Sequence, residues 1–472
     1  MIARAAASLT LLLVLVLVLA CTPPERSQAD NIVLIVMDTV RVDHLSVYGY
    51  PEPTSPYLER LAEQGTRFDR AWSTSSWTLP SHASMFTGLL PSQHGATQSH
   101  LQLRGDPDLL AARLADAGYQ CAGFSNNPWV SSKTGLHRGF EVFGELWRES
   151  ERPSSLLADH SSVAVEQWFA AQRDRERPFF LFVNLMEAHG PYEPDWRYAW
   201  PVLGGPVAIA RAHRAYDPVQ DHGFVREWYA GDQPVEPEVL AAARALYDAE
   251  IRQVDASVER IVAAVDRYAD PATTTLVVVT DHGEGFGEHG HVGHAFSVYD
   301  TLLRVAAIAR GPGFEAGTVD GRVVQLTDLY PTLLQAAGLT APETQGRDLH
   351  RQDDEQRLLA ASYAYPAQVL GTFPPALRDS ERLEPHRRSF GVGLDGRYKL
   401  ILDSTGHQEV YDLIADPGEA TPLTDLDPTI LARLRAVAAA SVTQGAAAGQ
   451  GEPLGDLDPE TLQALRELGY LE

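Results

Sequence analysis

The sequence predicts an α/β fold: a mixed, mostly parallel sheet flanked by helices, followed by a small antiparallel C-terminal part. Three observations carry that prediction. Short, nearly uninterrupted apolar runs recur at 31–37, 179–184 and 273–280, the pattern of strands buried on both faces. Helix-length segments lie between them, the longest carrying Leu246, Ile251, Val254, Val258, Ile261 and Val265 at spacings of three to five residues. After about residue 355 the pattern changes to short runs joined by turn residues, as at 390–394 and 398–402 around Asp395-Gly396-Arg397.

The N-terminus carries Arg4, an apolar run from Leu9 to Leu19, and Ala20 before Cys21, followed by polar Thr22 to Glu25. That run is short for a membrane span and has the layout of a secretory signal. The small residue before Cys21 is similar to a bacterial lipobox, which implies a lipid on Cys21 and a membrane as partner; an uncleaved signal anchor is the alternative. Either way the protein is exported to the cell envelope. We divide the chain into a signal peptide at 1–20, a tether at 21–30, a large domain at 31–355, and a C-terminal subdomain with a terminal helix at 356–472. Cys121 is the only other cysteine, so no internal disulfide forms and its thiol is expected in the core.

With 472 residues and 44% hydrophobic composition, the chain can bury a large core. Its 38 basic against 63 acidic residues exclude nucleic acid as a partner, because no counterion release favours binding. An anionic substrate must be drawn in by local positive charge such as a metal.

Taken in order, the first strand ends in Asp38-Thr39, and Ser55-Pro56 opens a helix that Gly65 closes. In Thr78-Leu79-Pro80-Ser81-His82, Pro80 suits the first helical position. Thr78 then lies just outside a helix N-terminus, placed either to cap it or to sit where free amides favour an alkoxide or an anion. A helix from Pro107 closed by Gly118 leads to a strand at 120–124 that ends in Ser125-Asn126-Asn127. The strand at 179–184 is followed by Glu187-Ala188-His189-Gly190-Pro191. Residues 200–235 show no clear periodicity and read as a long excursion. The 273–280 strand ends in Asp281-His282 and opens into a Gly-rich loop with His289, His291 and His294, which offers oxygen and imidazole donors on a backbone free to wrap a metal. A further strand at 305–308, a capped helix at 327–338 and a third C-terminal strand at 409–411 follow. The run 443–456 reads as a flexible link to a last helix near 459–468, where Leu462, Leu465 and Leu468 dock on the body. If the four strands that end in Asp, Asn or His share one parallel sheet, their polar ends converge on one edge.

These stretches resemble the sulfatase family of the alkaline-phosphatase superfamily. The resemblance rests on Met37-Asp38-Thr39-Val40-Arg41 with Asp43, Thr78-Leu79-Pro80-Ser81-His82 with Thr87-Gly88, His189-Gly190-Pro191-Tyr192, Asp281-His282-Gly283-Glu284, Gly287-Glu288-His289-Gly290, and Tyr411-Asp412-Leu413 with Asp416-Pro417-Gly418-Glu419. It implies a large α/β domain with a metal site at the strand ends and a small antiparallel domain. The chain also departs from the family. Thr78 and His82 replace the Cys or Ser and the Arg of its C/S-x-P-S-R motif, and Asp38-Thr39 replaces its Asp-Asp pair. Asp281-His282 replaces Asp-Asn, Ser125-Asn126-Asn127 falls near its Gly-Lys-x-His segment, and His294 stands for a later Lys. A threonine nucleophile, an Asp-His pair, a histidine thirteen positions beyond that Asp, and Ala188-His189-Gly190-Pro191 look like the phosphoethanolamine and lipoteichoic-acid transferase branch.

The resemblance implies a metal-dependent hydrolase of anionic esters. Asp38, Asp281, His282 and the Thr78 hydroxyl would bind a divalent metal, zinc or manganese in preference to calcium. Thr78 would be the nucleophile. His189 and His294 would hold the transferred group or a second metal and move the proton of the leaving group, His82 and Asn126 would contact the substrate, and His82, in the family's Arg position, would also steady Thr78. A small phosphate or phosphonate ester is the expected substrate. The alternatives are a sulfuric ester, transfer of a phospho-head group, or a non-catalytic lipoprotein.

Overall fold

The molecule is described here from a computed structural model, which covers residues 31–149, 157–216, 228–229, 235–351, 357–365, 378–447 and 458–467. The leader, Cys21 and the tether lie outside the described residues, as do 217–227 and 230–234 of the excursion, 448–457 of the link, and Leu468.

In chain order the main sheet takes β1 (Asn31–Met37), β2 (Thr66–Trp72), β3 (Gln120–Ser125), β4 (Val142–Glu145), β5 (Phe179–Leu185) and β6 (Thr274–Thr280). After a two-residue ladder of β7 (Gly285–Phe286) and β8 (Val292–Gly293), it adds β9 (Arg304–Arg310) and β10 (Thr318–Gln325). The spatial order is β10-β2-β9-β6-β1-β5-β3-β4, and only β9 runs against the others. β1 therefore sits between β5 and β6 with β3 one strand further out, so the four strands with polar ends are neighbours.

Alternation along β1 explains the layering. Ile32, Leu34 and Val36 join a core with the Thr78–Thr87, Leu110–Asp116 and Leu329–Ala336 helices. Val33, Ile35 and Met37 join a second core with the Pro56–Glu63, Leu157–Ala171 and Pro237–Tyr268 helices. The last of these is 32 residues long and reaches β6 through a single 3-10 turn at Pro271–Thr273. Cys121 is buried as a free thiol. Among the described residues no helix is long and apolar enough to cross a membrane.

A second, antiparallel sheet is formed by β11 (Leu359–Tyr363), β12 (Phe390–Leu394), β13 (Tyr398–Asp403) and β14 (Gln408–Asp412). The Pro428–Ala447 helix packs on it, and the Pro459–Glu467 helix docks through Leu465, with Leu462 partly buried.

Several expectations need correction. The Thr78–Thr87 helix begins at Thr78 itself, with Pro80 at its third position, so Thr78 lies within the first turn. The excursion contains two helices, Trp196–Leu203 and Pro206–Tyr216. Pro201 and the exposed Trp196 and Trp200 conceal the helical period of the first. The Pro428–Ala447 helix takes in the start of the expected link. β2, β4, β10 and β11 have no counterpart in the expected set. The first three lie at or near sheet edges, where polar residues interrupt the apolar run in β2 and β10 and the half-buried β4 is only four residues long.

The two sheets are joined by a buried ion group. Lys399 Nζ on β13 lies 2.7 Å from Asp300 Oδ1 and 2.8 Å from Glu419 Oε1, and Trp72 Nε1–H donates to Asp300 Oδ2 at 3.1 Å. Removing the cation would leave two buried carboxylates uncompensated. Lys399→Met is therefore expected to destabilise the fold by about 3–5 kcal/mol, read from equilibrium denaturation. A loss below about 1 kcal/mol would show that the group does not secure the contact.

Candidate active site

Asp38 follows β1, Asp281 and His282 follow β6, Asn184 lies in β5 with His189 beyond it, and Asn127 follows β3. Because these strands are neighbours and parallel, their ends deliver the side chains to one edge. The Asp38 N–H donates to Leu185 O at 2.8 Å, which ties the β1 end to β5.

Asp38 Oδ2 accepts from Asn127 Nδ2 at 2.8 Å and from Asn184 Nδ2 at 3.2 Å, whereas its Oδ1 is buried with no donor. Asp281 repeats the arrangement. Its Oδ1 accepts from the Thr39 N–H at 3.1 Å and the His282 N–H at 2.8 Å, and its Oδ2 is buried with no donor. His282 Nδ1–H donates to Gly283 O at 3.0 Å, a contact that fixes the tautomer and leaves Nε2 with its lone pair. That Nε2 stands 3.4 Å from Asp281 Oδ2 and 4.0 Å from Asp38 Oδ1. The three residues offer donor atoms all within 4.8 Å of one another. Burial, and then the charge of Asp281, raise the Asp38 carboxyl to about 7, and burial raises Asp281 to about 7. Buried polar atoms normally find partners. Two orphaned carboxylate oxygens facing an imidazole lone pair lack one thing, a cation, and this oxygen and nitrogen set fits a divalent metal.

The backbone beside Asp38 is held in an uncommon conformation. Thr39 has φ 58°, the left-handed region that costs an L-residue with a β-branched side chain about 1–2 kcal/mol. Its Oγ1 donates to Asp38 O at 2.7 Å. The Tyr247 hydroxyl donates to Thr39 O and accepts from the Arg41 N–H, both at 2.7 Å.

Thr78 starts its helix, so its hydroxyl lies among amides that no preceding turn satisfies. Its Oγ1 is 3.2 Å from His282 Nε2 and 3.4 Å from Asn127 Nδ2. One turn on, His82 Nδ1–H donates to Thr78 O at 2.9 Å while its Nε2 faces Asn184 Nδ2 at 3.4 Å. Burial pushes His82 down to about 3, so the ring is neutral. His82 thus braces the first turn of the Thr78 helix, and its Nδ1 also stands 3.6 Å from Asp281 Oδ2. Asn126 Nδ2 donates to Ser161 Oγ at 2.7 Å and Asn184 O at 3.3 Å, and it is the adjacent Asn127 whose Nδ2 reaches Asp38 and Thr78.

His189 and His294 join the edge from two loops. Their ring centroids lie 5.1 Å apart, and His294 lies 4.8 Å from His282. His189 Nδ1–H donates to Gly190 O at 2.8 Å, beside a cis Gly190–Pro191 peptide. Burial, with the neighbouring His294, pushes His189 to about 3; burial, with His282, holds His294 well below its ordinary value. The buried Glu284, absent from the expected set, places Oε1 3.4 Å from His294 Nδ1. Its position two residues beyond His282 was the available signal. His289 and His291 turn away: the first donates to Gly418 O and stacks on Tyr299, and the second stands beside Tyr229.

The family model for sulfatases matches residues 30–339. An arylsulfatase of Clostridium perfringens is 24% identical over 450 residues, covering 83% of this chain and 90% of that protein. An N-acetylglucosamine-6-O-sulfatase of Bacteroides thetaiotaomicron is 21% identical and covers 85% and 84%. Among solved structures, BT4656 in complex with D-glucosamine-2-N,6-O-disulfate superimposes with a TM-score of 0.70 at 18% identity, covering 92% and 99%. The phosphonate monoester hydrolase of Agrobacterium radiobacter superimposes with a TM-score of 0.66 at 20% identity, covering 88% and 95%. A metal-ready strand edge on a mostly parallel sheet, with a matching family model over most of the chain, means that the protein belongs to the sulfatase family of ester hydrolases, in the alkaline-phosphatase-like superfamily.

Proposed function

We propose that the protein hydrolyses phosphate or phosphonate esters through Thr78, with a divalent metal held by Asp38, Asp281 and His282 and completed by the Thr78 hydroxyl. The observation that carries this reading is the position of Thr78 Oγ1, 3.2 Å from His282 Nε2 at a helix N-terminus beside two donorless carboxylates. The mixed oxygen and nitrogen set favours zinc or manganese over calcium. When bound, the metal supplies positive charge that lowers the hydroxyl pKa and offsets charge on the transferred group.

The Thr78 hydroxyl releases its proton to water as Oγ1 attacks phosphorus, the bond to the leaving oxygen breaks, and the leaving oxygen takes a proton from the His189–His294 pair; Thr78 Oγ1 regains a proton from water when the intermediate is cleared. The negative charge of a bound phosphoester raises the pKa of these imidazoles, so substrate itself favours the protonated form. Threonine carries a single oxygen on its carbon, so the covalent intermediate is cleared by water attacking phosphorus, with the same imidazole pair taking the proton. Alternatively the pair would hold a second metal, which would offset charge on the transferred group. Asn127, which donates toward both Asp38 and Thr78, orients the nucleophile. The leader and the residue before Cys21 support export and a lipid anchor in the cell envelope.

A second reading is a sulfuric ester hydrolase. The family and the arylsulfatase relatives favour it. Threonine in place of the family's modified Cys or Ser, and histidine in place of its Lys, favour phosphorus. Turnover of an aryl phosphate, an aryl phosphonate and an aryl sulfate by the metal-loaded protein decides between them.

Thr78→Ala is expected to lower turnover by at least about 10³-fold with an unchanged fold. A slow phosphoester should leave a phosphate on Thr78 in the wild type, detectable by peptide mass. Turnover within a few-fold of wild type in the alanine variant would remove Thr78 as nucleophile.

Metal binding should depend on pH in a defined direction. Asp38 and Asp281 have folded-state values raised to about 7, so the metal-free fold gains stability from their protonation at low pH and loses it as pH rises from about 4 to about 7. Metal requires both to be ionised. Added zinc or manganese is therefore expected to raise the unfolding temperature more at pH 8 than at pH 5.5. An equal shift at both would contradict the site.

His294→Ala is expected to lower turnover of alkyl phosphoesters by about 10²–10⁴-fold, and that of esters with acidic phenols less, because those leaving groups need no proton. Equal losses for both would count against proton transfer and favour a binding role for His294.

A further inference from the structure

We propose that Tyr247 is a positioning residue for the metal centre, a role that rests on the reading of Asp38, Asp281 and His282 as ligands: its hydroxyl clamps Thr39 in the left-handed conformation that keeps one oxygen of Asp281 occupied and the other directed at the cation. Tyr247 lies on the Pro237–Tyr268 helix, fully buried, on an element that contributes no ligand. Its hydroxyl meets backbone only, donating to Thr39 O and accepting from the Arg41 N–H at 2.7 Å each. It thus brackets the turn that leaves β1 immediately after the ligand Asp38.

The geometry shows why the turn needs a clamp. Thr39, with a β-branched side chain, is held at φ 58°. Relaxation to negative φ rotates the peptide plane between Asp38 and Thr39 and carries the Thr39 N–H with it. That N–H donates to Asp281 Oδ1 at 3.1 Å, one of the two bonds that fix the carboxylate and leave Oδ2 facing the cation position. The same plane holds the Asp38 carbonyl, which accepts the Thr39 hydroxyl at 2.7 Å. A single flip therefore withdraws one of the two amides that orient the Asp281 carboxylate and breaks the hydroxyl bond to the Asp38 carbonyl. Without the Tyr247 hydroxyl, the Thr39 carbonyl and the Arg41 N–H lose a buried partner, and only the Thr39 N–H and hydroxyl bonds remain to oppose the flip. The ring itself packs against His44, Tyr192 and Phe286, so phenylalanine keeps the packing and removes only the hydroxyl.

The experiment measures zinc and manganese affinity of the metal-stripped full chain by titration calorimetry. Tyr247→Phe is expected to bind about 10–100-fold more weakly, the effect of removing a group that orients a ligand. Thr39→Gly, which adopts positive φ without strain, should bind within about threefold of wild type and should recover binding when combined with Tyr247→Phe. If Tyr247→Phe alone does not fold, the comparison moves to the Thr39→Gly background, where the double variant should fold and bind. Wild-type affinity in Tyr247→Phe overturns the proposal, as does a double variant that stays weak or unfolded, since the hydroxyl would then act other than through Thr39. Asp281→Asn should lose the cation. Wild-type affinity in Asp281→Asn would refute the metal site itself and the proposal with it, whereas loss in Asp281→Asn with full binding in Tyr247→Phe refutes the proposal alone.

Discussion

Asp38 Oδ1 and Asp281 Oδ2 are buried with no donor, and the arrangement around them is intelligible only as a response to that fact. An ionised carboxylate away from water is costly unless a cation or hydrogen bonds offset it. In each residue one oxygen is satisfied in full, by two side-chain amides in Asp38 and two backbone amides in Asp281. The other oxygen is left over at the same place. Symmetric partial satisfaction of this kind aims a charge; it does not neutralise it. The sheet order that makes β1 and β6 neighbours, the left-handed Thr39 and the tautomer of His282 all serve that aim.

The same economy of charge bears on the chemistry. The chain carries a net charge of −25, so an anionic ester approaches against the overall field unless the site is locally positive. The groups placed around Thr78 are imidazoles depressed by burial and neutral amides, which leaves the positive charge to a metal. A neutral imidazole beside a metal can change state when a dianion arrives. A lysine there would remain a fixed charge throughout.

Legibility in the sequence followed burial. β1, β5 and β6 are buried on both faces and read as continuous apolar runs, so their ends, and with them Asp38, His189, Asp281 and His282, could be placed from the sequence. β2, β4 and β10 are half-exposed and have no such run. At the site, the residues that were legible are those whose side chains belong to a recognisable pattern. Asn126 and Asn127 are adjacent and chemically identical, and the turn after β3 alone decides which amide reaches Asp38. Tyr247 was beyond reach for a different reason. On its helix it looks like one more core aromatic, and its hydroxyl acquires a role only because a strand end 208 positions earlier packs against it.

The site is also unequal in how its two halves are built. Asp38, Asp281, His282 and Thr78 sit at the first residues after strands or at the start of a helix, where side-chain amides fix Asp38, backbone amides fix Asp281 and the Gly283 carbonyl fixes His282. His189 and His294 come from loops, one beside a cis peptide and the other in a Gly-rich segment, and they are linked to the rest by a ring contact and by Glu284. Groups on regular elements tolerate little displacement, while loops accommodate change in length and direction. The half that gathers the two carboxylates, His282 and Thr78 is therefore set by the fold, and the half that carries His189 and His294 is set by the loops.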